Sequence, residues 1–522
     1  MDSSLASEKL IHIFSTRASS RHFGGVSSLG GKWRVDIDRL SPDSGHTVAL
    51  EGNTTVTLDN NSCARIHEAA LEVLRDVGTR VDDASVVELL QNAGATVTQE
   101  KVVHIPSRLV DWALKQAPHT VRIADRGGRL WELGPGEGTM VLTGNALHIT
   151  RGHRREELKS SDLSELARIV DACQNIHGMV GTSIADVPAP CRDFVGFRLM
   201  ARSTAKHLRP CIYTPQGARL VIEMAQVLAA GTSLREQPIV STGFSVISPL
   251  HWTSLALAVF KETAGQGIPA TINSEPLGGV TAPVTLAGCL VIGDADVLSG
   301  LVINQLLEPG RPCFYNLGFA HVFDMASNIA LTGSPENALL QAAGADLARF
   351  HGLPCAAWMS TESMIADSQA AFEKMMMGLA HAASGVNFIW GAGNLECTLA
   401  MSPEALVADD EIAGYFLRFA RGIPVDDENL ALGAIKEVGL SGDFLTADHT
   451  IRHYRQVLSR AQMATRCRRA EWESKGAKTF EERVRDRLHD VLAAEPKNYL
   501  DEHQEAELKR IEASGRFTLA PQ

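Results

Sequence analysis

The sequence predicts an α/β fold, a (β/α)8 TIM barrel with an N-terminal helical segment before it and a C-terminal helical cap after it. Three observations carry this prediction. From about residue 160 to about residue 425, short strand-like runs alternate with segments of helical periodicity. The strand-like runs are apolar almost throughout, which is the mark of a parallel sheet covered on both faces. Seven strand-helix units can be counted, and one more strand within 141–149 completes a ring of eight. An open doubly wound sheet is the alternative, but no GxGxxG fingerprint follows a first strand and no GKS/T phosphate loop is present.

In chain order, residues 1–55 are rich in Ser, Arg and Gly and lack a continuous apolar core, so they read as a poorly ordered tail and not as a signal peptide. Residues 56–135 form a helical and strand-containing segment. Ile66, Ala70, Val73, Leu74 and Val77 recur at helical spacing, with Ser62 as the expected cap and Gly78 as the stop. A second helix runs through Val86 to Ala93, and a third follows Pro106. The barrel occupies 136–425, with strands expected at 178–184, 210–214, 238–243, 268–273, 312–316, 353–358 and 386–391. Asp162 and Glu165 have capping-box spacing. Ser334-Pro335-Glu336 and Ser402-Pro403-Glu404 place serine at an N-cap, proline at N1 and an acid where the helix dipole favours it. Residues 426–522 turn into charged amphipathic helices, including 479–493, and form the cap.

Composition excludes several functions. The 522 residues carry a net charge of −12, which opposes nucleic acid as a partner because phosphate binding needs a dense basic face. Nine cysteines without a CxxC pair suggest neither a disulfide framework nor a zinc ribbon. The apolar stretch 284–307 is interrupted by Asp294 and Asp296, so no membrane span is expected. The expected compartment is the cytoplasm.

In a barrel of this class, reacting groups sit at the C-terminal ends of the strands. That rule nominates Thr182, Ser183 and Asp186; Tyr213 and Thr214; Phe244; Asn273 and Glu275; Tyr315, Asn316, Phe319, His321 and Asp324; Trp358, Ser360 and Glu362; Trp390 and Asn394. Aromatic residues make up only 6% of the chain, so four at one rim stand out. Phe244, Tyr315, Trp358 and Trp390 would form a box for a permanently charged ammonium group, or would simply cap the barrel core. Glu275 precedes Gly278 and Gly279 and a helix expected to open at Thr281 and Pro283. The N–H groups there suit a carboxylate, unless the glycines serve only a tight turn. His321 and His251 are the rival anchors, and Asp367 is either a helix cap or a site residue. His449 and His453 have i, i+4 spacing but lack the glutamate of HExxH, so no metal set is assigned. No GxSxG elbow and no cysteine-histidine pairing favours nucleophilic hydrolysis, and no catalytic residue is nominated.

Several ordered motifs resemble the trimethylamine methyltransferase family. They are Pro276-Leu-Gly-Gly-Val-Thr-Ala-Pro-Val-Thr-Leu-Ala-Gly288, Gly333-Ser-Pro-Glu336, Ala366-Asp-Ser-Gln-Ala370, Asp409-Asp-Glu-Ile412, Ile66-His-Glu-Ala-Ala-Leu71, Gly152-His-Arg-Arg155 and Gly442-Asp-Phe-Leu445, spread over roughly residues 60 to 495. The resemblance implies a TIM barrel that delivers a substrate methyl group to the cobalt(I) of a partner corrinoid protein, with no corrinoid tightly bound by the chain itself. Members acting on trimethylamine carry pyrrolysine, which falls near Trp358-Met359-Ser360, where this chain has standard residues. Similarity to the branch without pyrrolysine implies a quaternary amine of the glycine betaine, proline betaine or carnitine class. The alternatives are a sulfonium donor, a folate acceptor, or a non-catalytic barrel that binds quaternary amines. A homo-oligomer is compatible with the sequence but not specified by it.

Overall fold

The computed structural model describes residues 49–51, 54–181, 183–440 and 442–519, so most of the expected N-terminal tail, together with Thr182, lies outside the described residues. Eight strands form the central sheet: β1 (Met140–Thr143), β2 (Gly178–Gly181), β3 (His207–Pro210), β4 (Thr242–Ser245), β5 (Ala270–Asn273), β6 (Cys313–Gly318), β7 (Cys355–Trp358) and β8 (Phe388–Ala392). All neighbours are parallel, in the order β3-β2-β1-β8-β7-β6-β5-β4. The two ends meet through a parallel bridge between Leu208 and Val240. Leu208 N–H donates to Ile239 at 3.1 Å, and Ser241 N–H donates to Leu208 at 3.2 Å. The sheet is therefore a closed barrel, as the sequence predicts.

Register decides which residues point inward, because successive side chains on a strand alternate faces. Ser245, Asn273 and Asn316 are aligned neighbours in one row, and Phe244, Ile272 and Tyr315 are aligned in the next. Ala356 pairs with Phe388 and Trp358 with Trp390. The lower lumen is filled by Met140, Leu142, Phe314, Ala356 and Phe388. A hairpin, Val121–Ala124 with Leu130–Leu133, adds Val121, Ile123 and Leu133 to that cluster at the N-terminal ends of the strands. Asn387, just before β8, ties the hairpin's exit to the barrel, since its amide donates to the carbonyls of Gly134 (2.8 Å), Glu137 (2.7 Å) and Gly138 (2.9 Å). Among the described residues the floor is sealed, which leaves the C-terminal end open to a ligand.

The helices begin close to where the sequence places them. Ser334 accepts from the Asn337 N–H, and Ser402 from the Ala405 N–H, each with proline at N1. Two caps differ from expectation. The first helix, Asn60–Asp76, is capped by Asp59, whose carboxylate accepts from Ser62. In helix Ser160–Ala172, Asp162 accepts from the Lys159 N–H at 2.9 Å, while both Asp162 and Glu165 grip Arg151. Glu165 serves a hairpin and not the cap.

Helix Leu286–Leu307 is 22 residues long and, by length and composition, apolar enough to cross a membrane despite Asp294 and Asp296. Here 72% of its apolar window is buried, and it packs against the first helix and the barrel wall. After Arg421 the chain adds short helices, then Phe480–Ala493 against helices Ser160–Ala172 and Pro403–Ala420, and Glu502–Leu519 against Pro215–Leu228.

His381, on helix Ser368–Ala383, has 0% exposure, and neither ring nitrogen has a hydrogen-bond partner among the described residues. Burial pushes its imidazolium down to about 3. An unfolded histidine titrates at ~6.5, so below that pH the unfolded chain holds a proton that the folded chain refuses. Stability on this account rises with pH between about 3 and ~6.5. The shift corresponds to about 2 kcal/mol lost at pH 5 relative to pH 8. His381→Leu should therefore raise the urea midpoint more at pH 5 than at pH 8. A stability difference that is the same at both pH values contradicts the neutral, buried assignment.

Candidate active site

The mouth of the barrel is flanked by two small sheets built from the loops that follow the strands. On one side, His148–Arg151 pairs with Arg154–Glu157 and with Ala400–Met401, which in turn pairs with Asn394–Leu395. On the other, Leu277–Gly278 runs beside His321–Asp324, which pairs with Ile329–Leu331. These sheets extend the lumen outward above β1 and β8 and above β5 and β6.

The lining of the mouth is polar but mostly uncharged. Asn316 donates to Asn273 at 2.7 Å, and Asn273 donates to Ser245 at 3.2 Å. Across the mouth, Asn145 donates to Ser183 at 2.9 Å, and Ser183 and Tyr213 share a hydrogen bond of 2.6 Å. Ser245 is exposed although it lies on a barrel strand, so water reaches into the lumen. Glu275 is also exposed, yet it is enclosed by protein and hydrogen-bonded to Ser245, and the enclosure pushes its carboxyl above the usual range. Partial accessibility together with enclosure identifies a cavity wall. His321 shares this setting, with burial pushing it down to about 4, so it is neutral at pH 7 and contributes no positive charge.

Three aromatic rings meet at the inner end of this cavity. The ring centroids of Trp358 and Trp390 are 5.9 Å apart in a T-shaped arrangement. Phe319 lies 4.9 Å from Trp358 and 5.6 Å from Trp390. Strand register explains the first pair, because Trp358 and Trp390 are aligned neighbours on β7 and β8. Trp358 is held further by its backbone N–H, which donates to the Gln341 side-chain oxygen at 2.7 Å, and the Met359 backbone N–H donates to the Trp390 carbonyl at 2.7 Å.

The other two aromatics nominated for the box face away from it. Phe244 stacks on Phe260 of helix Ser254–Thr263 at 3.8 Å, between sheet and helix. Tyr315 donates to Asp294 at 2.8 Å, where His351 is also hydrogen-bonded at 2.9 Å and His67 lies 3.6 Å from the other carboxylate oxygen. Those histidines hold the Asp294 carboxyl well below its usual range. This buried knot fastens the first helix to the barrel wall. The aromatic group at the lumen is therefore Phe319, Trp358 and Trp390. Phe319 belonged to the rim in the sequence reading but not to the box, and no spacing rule marks it, because it lies just past the end of β6.

Gly278 and Gly279 do not open a helix. Helix Leu286–Leu307 starts later, and the glycines form a tight turn in which Gly279 has φ of 93° and its N–H donates to Ala282 at 2.9 Å. His251 is paired with Asp82 at 2.7 Å. Asp367 caps its helix by accepting from Ala370, and Glu362 accepts from the backbone of Thr332 and Gly333. The glutamate that the His449–His453 motif lacks in sequence arrives as Glu428, 2.7 Å from His453, on the surface.

Comparison with known proteins bears on this geometry. The family model described as Trimethylamine methyltransferase (MTTB) matches residues 38–514. Trimethylamine methyltransferase MttB of Desulfitobacterium hafniense (strain DSM 10664 / DCB-2) is 30% identical over 477 residues, covering 88% of this chain and 94% of the relative. Glycine betaine methyltransferase of Desulfitobacterium hafniense (strain Y51) is 29% identical over 462 residues, covering 87% and 95%. Among solved structures, the Methanosarcina barkeri monomethylamine methyltransferase (MtmB) aligns with a TM-score of 0.51 at 12% identity, covering 84% of this chain and 88% of that one. At that identity the likeness concerns the fold alone.

A box of aromatic faces attracts a cation with no N–H to donate, at ~0.5–2 kcal/mol per contact. Trp358→Ala and Phe319→Ala should each weaken tetramethylammonium binding by about that amount in calorimetry. Tyr315→Phe, on the other face of the sheet, should leave it unchanged. Weaker binding in Tyr315→Phe with unchanged binding in Phe319→Ala would instead support the box of Phe244, Tyr315, Trp358 and Trp390.

Proposed function

Because the chain belongs to the trimethylamine methyltransferase family and is a methyltransferase, we propose that it moves a methyl group from a quaternary amine to the cobalt(I) of a partner corrinoid protein. The donor is of the glycine betaine, proline betaine or carnitine class. The single observation that carries this reading is the Phe319, Trp358 and Trp390 cluster at the closed end of a water-accessible barrel mouth. A relative named for glycine betaine supports the same class.

The chemistry asks for little acid-base help. The acceptor supplies the electron pair that forms the new bond to carbon, the carbon-nitrogen bond breaks, and its pair stays on nitrogen, so a cationic amine leaves as a neutral tertiary amine. No proton moves at the reacting atoms. What the chain must do is hold one N-methyl group toward the open end and keep the ammonium from rotating away, which is a problem of orientation. Trp358, Trp390 and Phe319 grip the cation. The neutral amides of Asn273 and Asn316 and the hydroxyl of Ser245 line the approach without adding positive charge. Glu275, when ionised, adds negative potential beside the cation.

Trp358-Met359-Ser360 supports a quaternary donor over trimethylamine. Trp358 faces the lumen as part of an aromatic wall, and Ser360 shares a hydrogen bond of 2.9 Å with Thr332. Neither is an electrophile able to activate a neutral amine, whereas a quaternary nitrogen already carries the charge that makes it leave.

Purified protein supplied with a reduced corrinoid protein should consume the cobalt(I) absorption when given at least one of glycine betaine, proline betaine or carnitine, and should leave it unchanged with trimethylamine. Trimethylamine turnover at a comparable rate overturns the donor assignment.

A further inference from the structure

Arg209 lies within β3 with its guanidinium inside the barrel, and it is 7% exposed. It donates to the Thr242 carbonyl at 2.5 Å and to the Thr271 hydroxyl at 2.6 Å, and it lies over the Trp390 ring at 4.6 Å. Burial pushes it down only to about 10, so it is charged at neutral pH. Among the described residues, the fully buried cations Lys374 and Arg311 have acids, Asp409 at 2.5 Å and Glu308 at 3.8 Å, whereas Arg126 and Lys206, outside the lumen, are held by backbone carbonyls alone. No carboxylate stands at salt-bridge distance from Arg209 among the described residues. A buried charge without a partner is costly, and such groups concentrate where a ligand supplies the partner.

Gly243 lies on the neighbouring strand, where an added Cβ would stand 2.1 Å from the guanidinium and 2.5 Å from the Thr271 hydroxyl, so the guanidinium fills the room that glycine leaves and its seat in the lumen requires glycine there. Two further features point to an anion at this place. Gly243 is partly accessible and Ser245, the next inward residue of β4, is exposed, so solvent reaches the guanidinium from the mouth. The indole N–H groups of Trp390 and Trp358, 1% and 8% exposed, have no acceptor among the described residues. This part of the lumen holds donors and a positive charge in excess of acceptors.

We propose that Arg209, seated in the lumen by Thr271 and Gly243, is a carboxylate subsite for a zwitterionic methyl donor, an inference that rests on the quaternary-amine reading above. The cation and anion subsites are then separated by little more than one indole ring, which fits an ammonium and a carboxylate joined by a short carbon chain. The same arginine repels a ligand that is only a cation, so it selects betaines against choline and against protonated amines. It also replaces the anchors expected at Gly278, Gly279 and His321, whose groups are either engaged in a turn or neutral.

The test uses the full chain and three calorimetric probes: glycine betaine, its uncharged-carbon isostere 3,3-dimethylbutanoate, and tetramethylammonium. Arg209→Gln should weaken glycine betaine and 3,3-dimethylbutanoate at least tenfold and leave tetramethylammonium unchanged or tighter. Arg209→Lys, which keeps the charge but loses the fork, should fall between the wild type and Arg209→Gln. Unchanged binding of both carboxylates by Arg209→Gln overturns the subsite and leaves the cation reading standing. A parallel loss of tetramethylammonium, with an unfolding temperature like that of the wild type, also overturns it, because Arg209 would then shape the aromatic pocket. Failure of the wild type to bind any of the three overturns the quaternary-amine reading and the subsite together.

Discussion

The alternation of side chains along a closed parallel barrel is the constraint on which the rest of this molecule depends. Each strand residue faces either the lumen or the helix layer, and hydrogen-bonded register makes that choice collective around the ring. Asn273, Asn316, Trp358 and Trp390 lie in inward rows, whereas Phe244, Ile272 and Tyr315 share an outward one. Sliding β6 by one residue would put Tyr315 where Asn316 stands, and sliding β7 by one would turn Trp358 from the aromatic wall into the helix layer. The chemistry at the mouth is thus specified by the same pairing that closes the sheet.

The two faces of the sheet use polar groups in opposite ways. On the outer face, buried charges are matched within the protein: Asp294 gathers Tyr315, His351 and His67, and Lys374 meets Asp409. These contacts lock helices onto strands. On the inner face the charges lack charged partners: Glu275 lines the mouth beside Ser245 without a cation, and Arg209 is held by Thr242 and Thr271 without an acid. The hairpin Val121–Ala124 with Leu130–Leu133 closes the lower end with apolar side chains, so among the described residues the unmatched groups face the C-terminal entrance. A ligand with both charges would satisfy both kinds of unmatched group, and transfer of its methyl group needs that group to point out of the same entrance.

How far the sequence could be read follows from the same physics. Helix starts marked by Ser-Pro-Glu were legible because capping is local, and Ser334 and Ser402 cap as expected. The barrel was legible because its strands are nearly all apolar, but that property hides parity. In Cys313–Gly318 every residue is buried, so nothing in the composition distinguishes Tyr315 from Asn316. Nominating both for one cavity conflicts with alternation, and that conflict was the available signal. β3 was expected at 210–214 but occupies His207–Pro210, because His207 and Arg209 make it look like a loop. Arg209 escaped notice for that reason: a strand that buries a cation does not look like a strand. Glu275 and His321 were found from their position at strand ends, although their enclosure depends on loops folding over from distant parts of the chain.

A crystal structure of the protein soaked in glycine betaine tests the central claim, that the lumen face of β7 and β8 holds a quaternary ammonium, most directly. The account predicts the nitrogen within ~6 Å of the Trp358 and Trp390 ring centroids, the range of a cation–π contact, with one methyl group directed to the open end of the barrel. A ligand bound at the Gly278–Gly279 turn or beside Tyr315, with the Trp358 and Trp390 rings untouched, would contradict it.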